Sequence, residues 1–339
     1  MTRSRRLPLL LALAVLLVAA ACSSDKSSTT TASSGGGGTI RLGFSAWPGW
    51  FPWQVAKEKG IFDAAGIKVE PTYFESYTDS LNALSAGKLD ANSQTLNDTI
   101  SSVAAGAKEK VVLVNDNSTG NDQIIAKPGI NSVADLKGKK IGIEEGTVDH
   151  FLLLLGLDKA GLSAKDVEIQ PLATDAAAAA FAAGQLDAVG VFAPFTTKAL
   201  ELPGSKAIFT SADFPGAIPD HLVVSQDLVE KRPGDVQKLV NAWYKTLAWI
   251  QANPAEANAI MAKRAGVSVA DYEAYGKGTR IFSVADNVSA FSPGNDMSRL
   301  NFAANSMAKF LLDNKLITAA PDLKGLLQPQ FVQEAAKTP

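Results

Sequence analysis

From residue 40 onwards, short apolar runs of β type alternate with longer runs that have helical spacing. The run "IRLGF" (Ile40–Phe44) leads through a turn into the helix-like "QVAKEKG". Later in the chain, apolar side chains recur at helical intervals, at Val236, Leu239, Val240, Trp243, Leu247 and Ile250. Because strands that alternate with helices form parallel sheets covered by helices on both faces, the pattern predicts an α/β fold.

The pattern also repeats within the chain. The segment "GIKVEP" (Gly66–Pro71) returns as "KDVEIQP" (Lys165–Pro171), and "SAGKLDAN" (Ser85–Asn92) returns as "AAGQLDAV" (Ala182–Val189). The first copy opens with "IRLGF" and the second with "KKIGI". Each copy reads as strand, helix, strand, helix, a Gly-x-x-Asp motif and a further strand. Two copies in register predict two similar doubly wound lobes.

Two segments are predicted to connect the lobes. Val111–Ala126 consists of two apolar runs around a polar centre, and Phe214–Ser225 is a polar segment that leads into an apolar run. The prediction is a first lobe of residues 39–120 plus 220–335, a second lobe of residues 121–219, and two hinge crossings. Ligands of open α/β sheets bind at the carboxyl ends of the strands, which here means the cleft between the lobes.

The first 38 residues are predicted to lie outside the fold. Residues 1–21 have a basic start, an apolar stretch and small residues before Cys22, which resembles a bacterial lipoprotein signal with a lipidated cysteine. Residues 22–38 form a flexible linker, since no apolar side chain larger than alanine follows Cys22 there. We expect an extracytoplasmic body on a membrane lipid anchor. The alternative is an ordinary secretory signal with a chance cysteine.

Composition narrows the function. The chain has 339 residues, 46% of them hydrophobic, which suffices for about two domains. A net charge of −2 argues against a nucleic-acid partner, and two histidines argue against a histidine-based metal site. We expect a monomer without a cofactor.

The predicted cleft loops are acidic. They are residues 45–53, 74–80, 93–98, 115–122, 144–150, 192–196 and 213–221, and they contain no Lys or Arg. Their acidic residues are Glu75, Asp79, Asp98, Asp116, Asp122, Glu144, Glu145, Asp149, Asp213 and Asp220. Helix N-termini alone favour an anion, but phosphate and sulfate pockets usually add Arg or Lys. Carboxylates beside aromatic rings fit a cation better, with the ring faces adding cation–π attraction.

The first loop, "SAWPGWFPW", supplies the aromatic part of such a site. Trp47 and Trp50 are predicted walls of a ligand cage, stiffened by the prolines, whereas Trp53 is expected in the core of the following helix. Asp98 and Asp149 fall in first helical turns, where an acid is favoured with or without a ligand. Asp116 and Asp122 are interpreted as hinge-solvating residues. Phe192 and Phe195 are candidates to line the second lobe's half of the cage.

Taken in order, the segments "EKGIFDAAGIKVE", "LSAGKLDA", "SVADLKGKKIGI" and "PDHLVVSQDLVEKRPGDVQKLVNAW" resemble one family. They are similar to the nitrate, taurine and sulfonate group of ABC-importer substrate-binding proteins, also called NMT1-like, over residues 40 to 290. The resemblance implies a type II periplasmic-binding fold and delivery of a solute to a permease with its ATPase subunit. It also implies that Trp47, Asp98, Thr147, Asp149 and Phe195 lie on ligand-facing loops.

The candidate ligand-binding residues are therefore Trp47, Trp50, Glu75, Asp98, Glu144, Thr147, Asp149, Phe195 and Asp220. The acidic cleft departs from the anionic ligands that the family's name suggests. The turn "SAWPGWFPW" and the segment "EEGTVDHFLLL" look most like family members linked to guanidine uptake. We expect a guanidine-like or amine cation. One alternative is that the same fold binds taurine, a sulfonate or nitrate. Another is a thiamin-precursor binding protein or enzyme of the NMT1 fold. The enzyme is disfavoured because the cleft loops carry no Lys and no Cys.

Overall fold

A computed structural model describes residues 37–337. The strands, in chain order, are β1 (Ile40–Phe44), β2 (Val69–Tyr73), β3 (Ala91–Thr95), β4 (Glu109–Ser118), β5 (Asp122–Ala126), β6 (Lys140–Ile143), β7 (Glu168–Pro171), β8 (Ala188–Phe192), β9 (Lys206–Thr210), β10 (Pro219–Ser225) and β11 (Thr279–Ile281). The predicted signal peptide and Cys22 lie outside the described residues.

The α-helices are α1 (Pro52–Glu58), α2 (Ile61–Ala64), α3 (Tyr77–Ser85), α4 (Leu96–Ala104), α5 (Val148–Lys159), α6 (Thr174–Ala182), α7 (Phe195–Ala199), α8 (Gln226–Lys231), α9 (Pro233–Ala252), α10 (Pro254–Ala265), α11 (Val269–Tyr275), α12 (Val284–Phe291), α13 (Leu300–Asp313) and α14 (Gln330–Ala335). Short 3-10 turns cover Val133–Leu136, Ala164–Asp166 and Ser211–Asp213. Between residues 37 and 337, no helix combines the length and the apolar character that crossing a bilayer requires.

The strands form two mixed sheets. The first has the order β11-β4-β10-β3-β1-β2 and the second has the order β7-β6-β8-β5-β9. In both sheets the inner strands of each repeat are parallel, as predicted: β1 pairs with β2 and β3, and β6 pairs with β7 and β8. The strands next to the crossings, β4, β5 and β10, run antiparallel to their neighbours, which the alternation of strands and helices did not predict.

The chain changes sheet between β4 and β5 and returns between β9 and β10. The short link between β4 and β5 forces β5 to enter the second sheet from its cleft edge, which explains its antiparallel direction. The lobe boundaries at residues 120/121 and 219/220 remain a prediction, and this sheet membership supports them.

The Gly-x-x-Asp repeat has the same structural role in both sheets. Asp90 accepts a hydrogen bond from the backbone amide of Arg41 in β1, and Asp187 accepts one from the amide of Lys140 in β6, each at 2.9 Å. The leucine before each aspartate packs where a strand residue must be glycine. A Cβ on Gly43 would lie 2.4 Å from Leu89, and one on Gly142 would lie 2.6 Å from Leu186. The sequence repeat therefore marks a position in each sheet where a leucine of the loop before a strand packs against a glycine of the neighbouring strand.

The Trp-rich turn follows β1 and is anchored in the core by its last residue. Trp53 is fully buried, packs against Trp243 of α9 with ring centroids 4.6 Å apart, and donates its Nε1–H to the Ser93 hydroxyl at 2.9 Å. Its predicted place in the core is confirmed. This anchoring fixes the start of α1 and aims the earlier part of the turn towards the cleft.

Candidate functional site

The site lies where the cleft ends of strands from both sheets meet. Asp220, at the start of β10, pairs in register with Thr95 at the end of β3 and with Asp116 near the end of β4. In the other sheet, Asp122 at the start of β5 pairs with Phe192 at the end of β8. The antiparallel strands therefore add their first residues to the edge at which the parallel strands finish. This register is what concentrates carboxylates at one place.

A small cavity occupies this meeting point. Its lining comes from both sheets: Trp47, Trp50, Tyr77, Thr95, Asp122, Val148, Phe192 and Asp220. Its volume is about 10 Å³, which is about what a single water molecule requires. The lining combines aromatic rings with carboxylates and has no basic side chain. A small cation would meet a complementary surface on every side.

The aromatic rings form a continuous cage around the cavity. Ring centroids lie 6.4 Å apart between Trp47 and Trp50, 5.5 Å between Trp50 and Tyr77, 6.3 Å between Tyr77 and Phe192, and 6.3 Å between Phe192 and Trp47. Each ring is at most 4% exposed. Tilted and edge-on contacts of this kind are the favourable geometries for aromatic pairs. The cage is therefore already assembled by protein contacts.

Hydrogen bonds hold the Trp turn against the first sheet. Trp47 donates its Nε1–H to Asp116 Oδ1 at 2.9 Å, and the hydroxyl of Tyr272 donates to the carbonyl of Pro48 at 2.9 Å. Asp116 lies so close beneath the turn that a Cβ on Gly49 would stand 1.9 Å from its Oδ2. Gly49 is therefore required by the approach of the carboxylate to the backbone. Asp116, interpreted from the sequence as hinge-solvating, is instead fully buried, and so is Asp122.

Several buried carboxylate oxygens lack a hydrogen-bond donor among residues 37–337. They are Asp116 Oδ2, Asp122 Oδ2, Asp149 Oδ1 and Asp220 Oδ2. A buried charged group without a partner costs several kcal/mol, on the order of 3–5 when a buried pair is broken. A bound cation with N–H groups would donate hydrogen bonds to these oxygens.

Burial changes the protonation of this cluster. It raises the pKa of Asp98 and of Asp122 from the ordinary 3.8 to about 7. Burial and neighbouring carboxylates raise the pKa of Asp149 and Asp220 well above the ordinary value. Near neutral pH the carboxyl groups therefore hold protons in part, and a cation in the cavity would favour their ionised forms.

The carboxylate of Asp98 is hydrogen-bonded by other groups of the protein. It accepts hydrogen bonds from the Tyr77 hydroxyl at 2.9 Å and the Thr95 hydroxyl at 2.7 Å, and it lies against the backbone amide of Val148 at the start of α5. The positive end of that helix is where an external anion would bind. Since a carboxylate of the chain lies there, this helix start is not free to bind an external anion.

Glu144 fills two further helix N-termini and bridges the sheets. Its Oε1 accepts from the amide of Thr78 in α3 at 3.2 Å, and its Oε2 accepts from the amide of Thr174 in α6 at 3.3 Å. Both threonine hydroxyls also donate to it. Thr78 follows the first sheet's β2 and Thr174 follows the second sheet's β7. Glu144 is therefore a latch that joins the two sides of the cleft.

We expect Glu144→Gln to weaken this latch and lower affinity about tenfold, since hydrogen bonds to a charged group contribute about 1.5–3 kcal/mol. An amide cannot accept with both of its terminal atoms, so one helix N-terminus loses its partner. The loss should be similar for all ligands because it acts on closure. Calorimetry measures the affinity and small-angle scattering the radius. Glu145→Gln is the matched control, since Glu145 is exposed; equal behaviour of the two variants would contradict the latch.

The remaining predicted residues occupy different depths of the cleft. Thr147 caps α5 from outside the cavity and donates its hydroxyl to the carbonyl of Glu144 at 2.8 Å. Asp149 is buried behind the cage and accepts from Thr174 Oγ1 at 2.9 Å. Glu75 and Phe195 line a second, outer cavity between the sheets. Of the predicted ligand-binding residues, Trp47, Trp50 and Asp220 line the inner cavity. Ligand binding by any of the predicted residues remains a prediction.

A basic side chain reaches the outer rim from outside the predicted loops. The guanidinium carbon of Arg264 in α10 lies 3.8 Å from the centroid of the Tyr73 ring, and its Nη2 lies 3.6 Å from the carboxylate of Glu75. The inner cavity keeps its acidic lining, but the outer rim is not purely acidic. Sequence loops alone could not show this, because the residue comes from the far end of a helix.

Five residues that line the inner cavity were outside the predicted set: Tyr77, Thr95, Asp122, Val148 and Phe192, of which Phe192 was named only as a candidate to line the cage. Tyr77 begins α3 and donates to Asp98, and Asp122 begins the second sheet's β5. Tyr77 could have been found as the aromatic residue in an already identified loop. Within the described part of the chain, no cluster of three or more potential metal ligands is present.

The fold and cleft are those of a two-lobed periplasmic binding protein. The chain is 22% identical to the alkanesulfonate-binding protein SsuA of Xanthomonas axonopodis pv. citri, whose structure covers 86% of this chain and 98% of its own with a TM-score of 0.72. The predicted type II periplasmic-binding fold is confirmed.

Residues 37–266 match the NMT1-like family, to which this chain belongs. A protein of Brucella abortus (strain 2308), described only as a binding protein, is 32% identical over 227 residues, which are 66% of this chain and 70% of that protein. The taurine-binding periplasmic protein of Escherichia coli (strain K12) is 27% identical over 296 residues, 83% of this chain and 89% of that protein. The family resemblance predicted from the sequence is confirmed.

Proposed function

We propose that this protein is the extracytoplasmic substrate-binding lipoprotein of an ABC importer and that it captures a small nitrogen-containing cation. The cation, guanidine-like or an amine, would bind in the aromatic cage and pass to the permease. The observation that carries the proposal is the set of buried carboxylate oxygens without donors around a cavity lined by four aromatic rings. A planar cation would gain ring-face attraction and charge-assisted hydrogen bonds at the same time.

The charge of the cavity lining supports a ligand that carries a cationic group. A plain alkyl sulfonate has no such group and would need an unoccupied helix N-terminus for its oxygens. Instead, Asp98 lies at the start of α5, and Glu144 accepts from amides at the start of α3 and α6. Capture, rather than catalysis, fits this lining, because its two hydroxyl groups, on Tyr77 and Thr95, both already donate to Asp98.

Taurine is a second candidate for one specific reason. Trp50 Nε1 is buried without an acceptor among the described residues, so a ligand that also offers one acceptor atom would satisfy it. The ammonium group of taurine could enter the cage while a sulfonate oxygen accepts from Trp50. A relative of this chain is named for taurine binding, which adds support.

A thermal-shift screen of the full chain distinguishes these ligand classes. We expect guanidinium or small amines to raise the unfolding temperature, and nitrate and plain alkyl sulfonates to leave it unchanged, because a ligand that binds only the folded state stabilises it by an amount that grows with ligand concentration relative to the dissociation constant. Taurine and an aminopyrimidine complete the panel. A shift with nitrate or methanesulfonate, and none with any cation or zwitterion, would overturn the proposal.

A further inference from the structure

Asp116 and Asp220 form a carboxyl–carboxyl pair beneath the cage. They are register partners in the β4–β10 ladder, and both are almost completely buried. If both groups are ionised, their Oδ2 atoms accept no hydrogen bond from any of the described residues. They nevertheless lie within hydrogen-bonding reach of each other. Two carboxyl groups can share such a bond only if one of them carries a proton, so the pair holds a proton when no cation is present.

The surroundings of the pair favour keeping that proton. The groups that face it or adjoin it are Asp122 from β5, Asp98 from α4, Tyr77 from α3, Tyr272 from α11, and His221 on β10 itself. The carboxylates among them oppose a second negative charge. Burial lowers the pKa of His221 to about 3, so that ring is neutral and offers no compensation. Burial raises the pKa of Asp116 to about 7, and burial together with the neighbouring Asp116 charge raises the pKa of Asp220 well above its ordinary value.

We propose that the site exchanges a proton for its cation: the Asp116–Asp220 pair holds one proton in the empty cleft and loses it to water when the cation binds. The proposal rests on the proposed function. The exchange balances in charge, because one positive charge enters as the proton leaves. Asp220 lines the cavity and would contact the cation. Asp116 acts as a positioning residue that holds Trp47 through its Oδ1 and the shared proton through its Oδ2.

The exchange fixes the direction of the pH dependence. Because the pair's pKa values are raised, the proton is present at and below neutral pH and must be expelled there. Affinity should therefore rise with pH, by about tenfold per pH unit while one proton is released, and level off once the empty pair is ionised. A cage of permanently ionised carboxylates would instead bind with constant affinity over that range.

The direct test measures protons and heat in the same titration. Guanidinium chloride, matched in pH, is added to the full chain in weakly buffered solution containing a pH indicator, and binding is followed in parallel by calorimetry. We expect release of about one proton per cation bound near pH 7. Asp220→Asn and Asp116→Asn should each abolish most of the release, since an amide cannot share a titrating proton in this way.

Glu109→Gln is the matched control. Glu109 is also buried with its pKa raised to about 7, but it lies outside the cage, hydrogen-bonded by Gln94 and Ser85. This variant should release as many protons as the unmodified protein. Guanidinium heat without proton release would overturn the exchange and leave the proposed function standing. No heat with guanidinium or small amines would overturn both.

Discussion

Replacing Asp220 with asparagine is expected to weaken guanidinium binding by roughly 30-fold or more, since removing one partner of a buried charge pair costs about 2–5 kcal/mol. Asp220 lines the inner cavity, and its Oδ2 has no donor among the described residues. Calorimetry at pH 8 gives the dissociation constant, because protons compete less with the cation there than at neutral pH. The loss should be specific to cations and smaller for neutral ligands.

The same substitution should leave the fold intact or make it more stable. Asparagine keeps the side-chain shape and removes a carboxyl group that is buried beside other carboxyl groups. The unfolding midpoint in urea is therefore expected to stay constant or rise while affinity falls. Glu109→Gln controls for the removal of any buried carboxyl. Unchanged affinity of Asp220→Asn, or parallel loss of affinity and stability, would contradict a ligand-binding role.

Replacing Trp47 with alanine is expected to reduce affinity by roughly tenfold or more. The ring face contributes about 0.5–2 kcal/mol to a desolvated cation, and Asp116 left without its donor costs about 1–3 kcal/mol. Trp47→Phe separates the two effects, since it keeps a ring but removes the N–H that Asp116 accepts. Its affinity should lie between those of the alanine variant and the unmodified protein.

The control for this experiment comes from the same turn. Trp53→Phe removes the Nε1–H that Ser93 accepts and leaves a gap beside Trp243. We expect it to lower the free energy of unfolding without changing the dissociation constant, because Trp53 lies in the core and not in the cage. If Trp53→Phe weakens binding as much as Trp47→Ala, the Trp47 effect is one of general stability.

The fold could be predicted well from the sequence because the motifs that specify it each act within one sheet. The Gly-x-x-Asp repeat places Asp90 and Asp187 on the amides of neighbouring strands, and each motif works within a single sheet. The antiparallel direction of β5 and β10 was not predictable in this way. It depends on the edge at which the chain enters each sheet after a crossing, and no residue pattern encodes that edge.

The site was predicted in part, for the same physical reason. Trp47 and Trp50 stand in one conspicuous turn, so they could be read directly from the sequence. Asp122 was misinterpreted as hinge-solvating because its burial depends on pairing with Phe192 across the second sheet. Asp98 and Glu144 were proposed as ligand contacts because they are acidic. Their capping of helices depends on contacts between segments far apart in the sequence, which residue spacing does not show.

The central claim is that the aromatic cage binds a small cation in preference to neutral or anionic molecules. A series of ligands that share one shape and differ in charge tests this claim most directly. Guanidinium, urea and nitrate are all planar and trigonal, and they carry charges of +1, 0 and −1. Calorimetric titration of the full chain with each, at the same ionic strength and at pH 8, varies charge while shape stays constant. We predict affinity in the order guanidinium, urea, nitrate, with no measurable heat for nitrate. Tighter binding of nitrate than of guanidinium would contradict the claim.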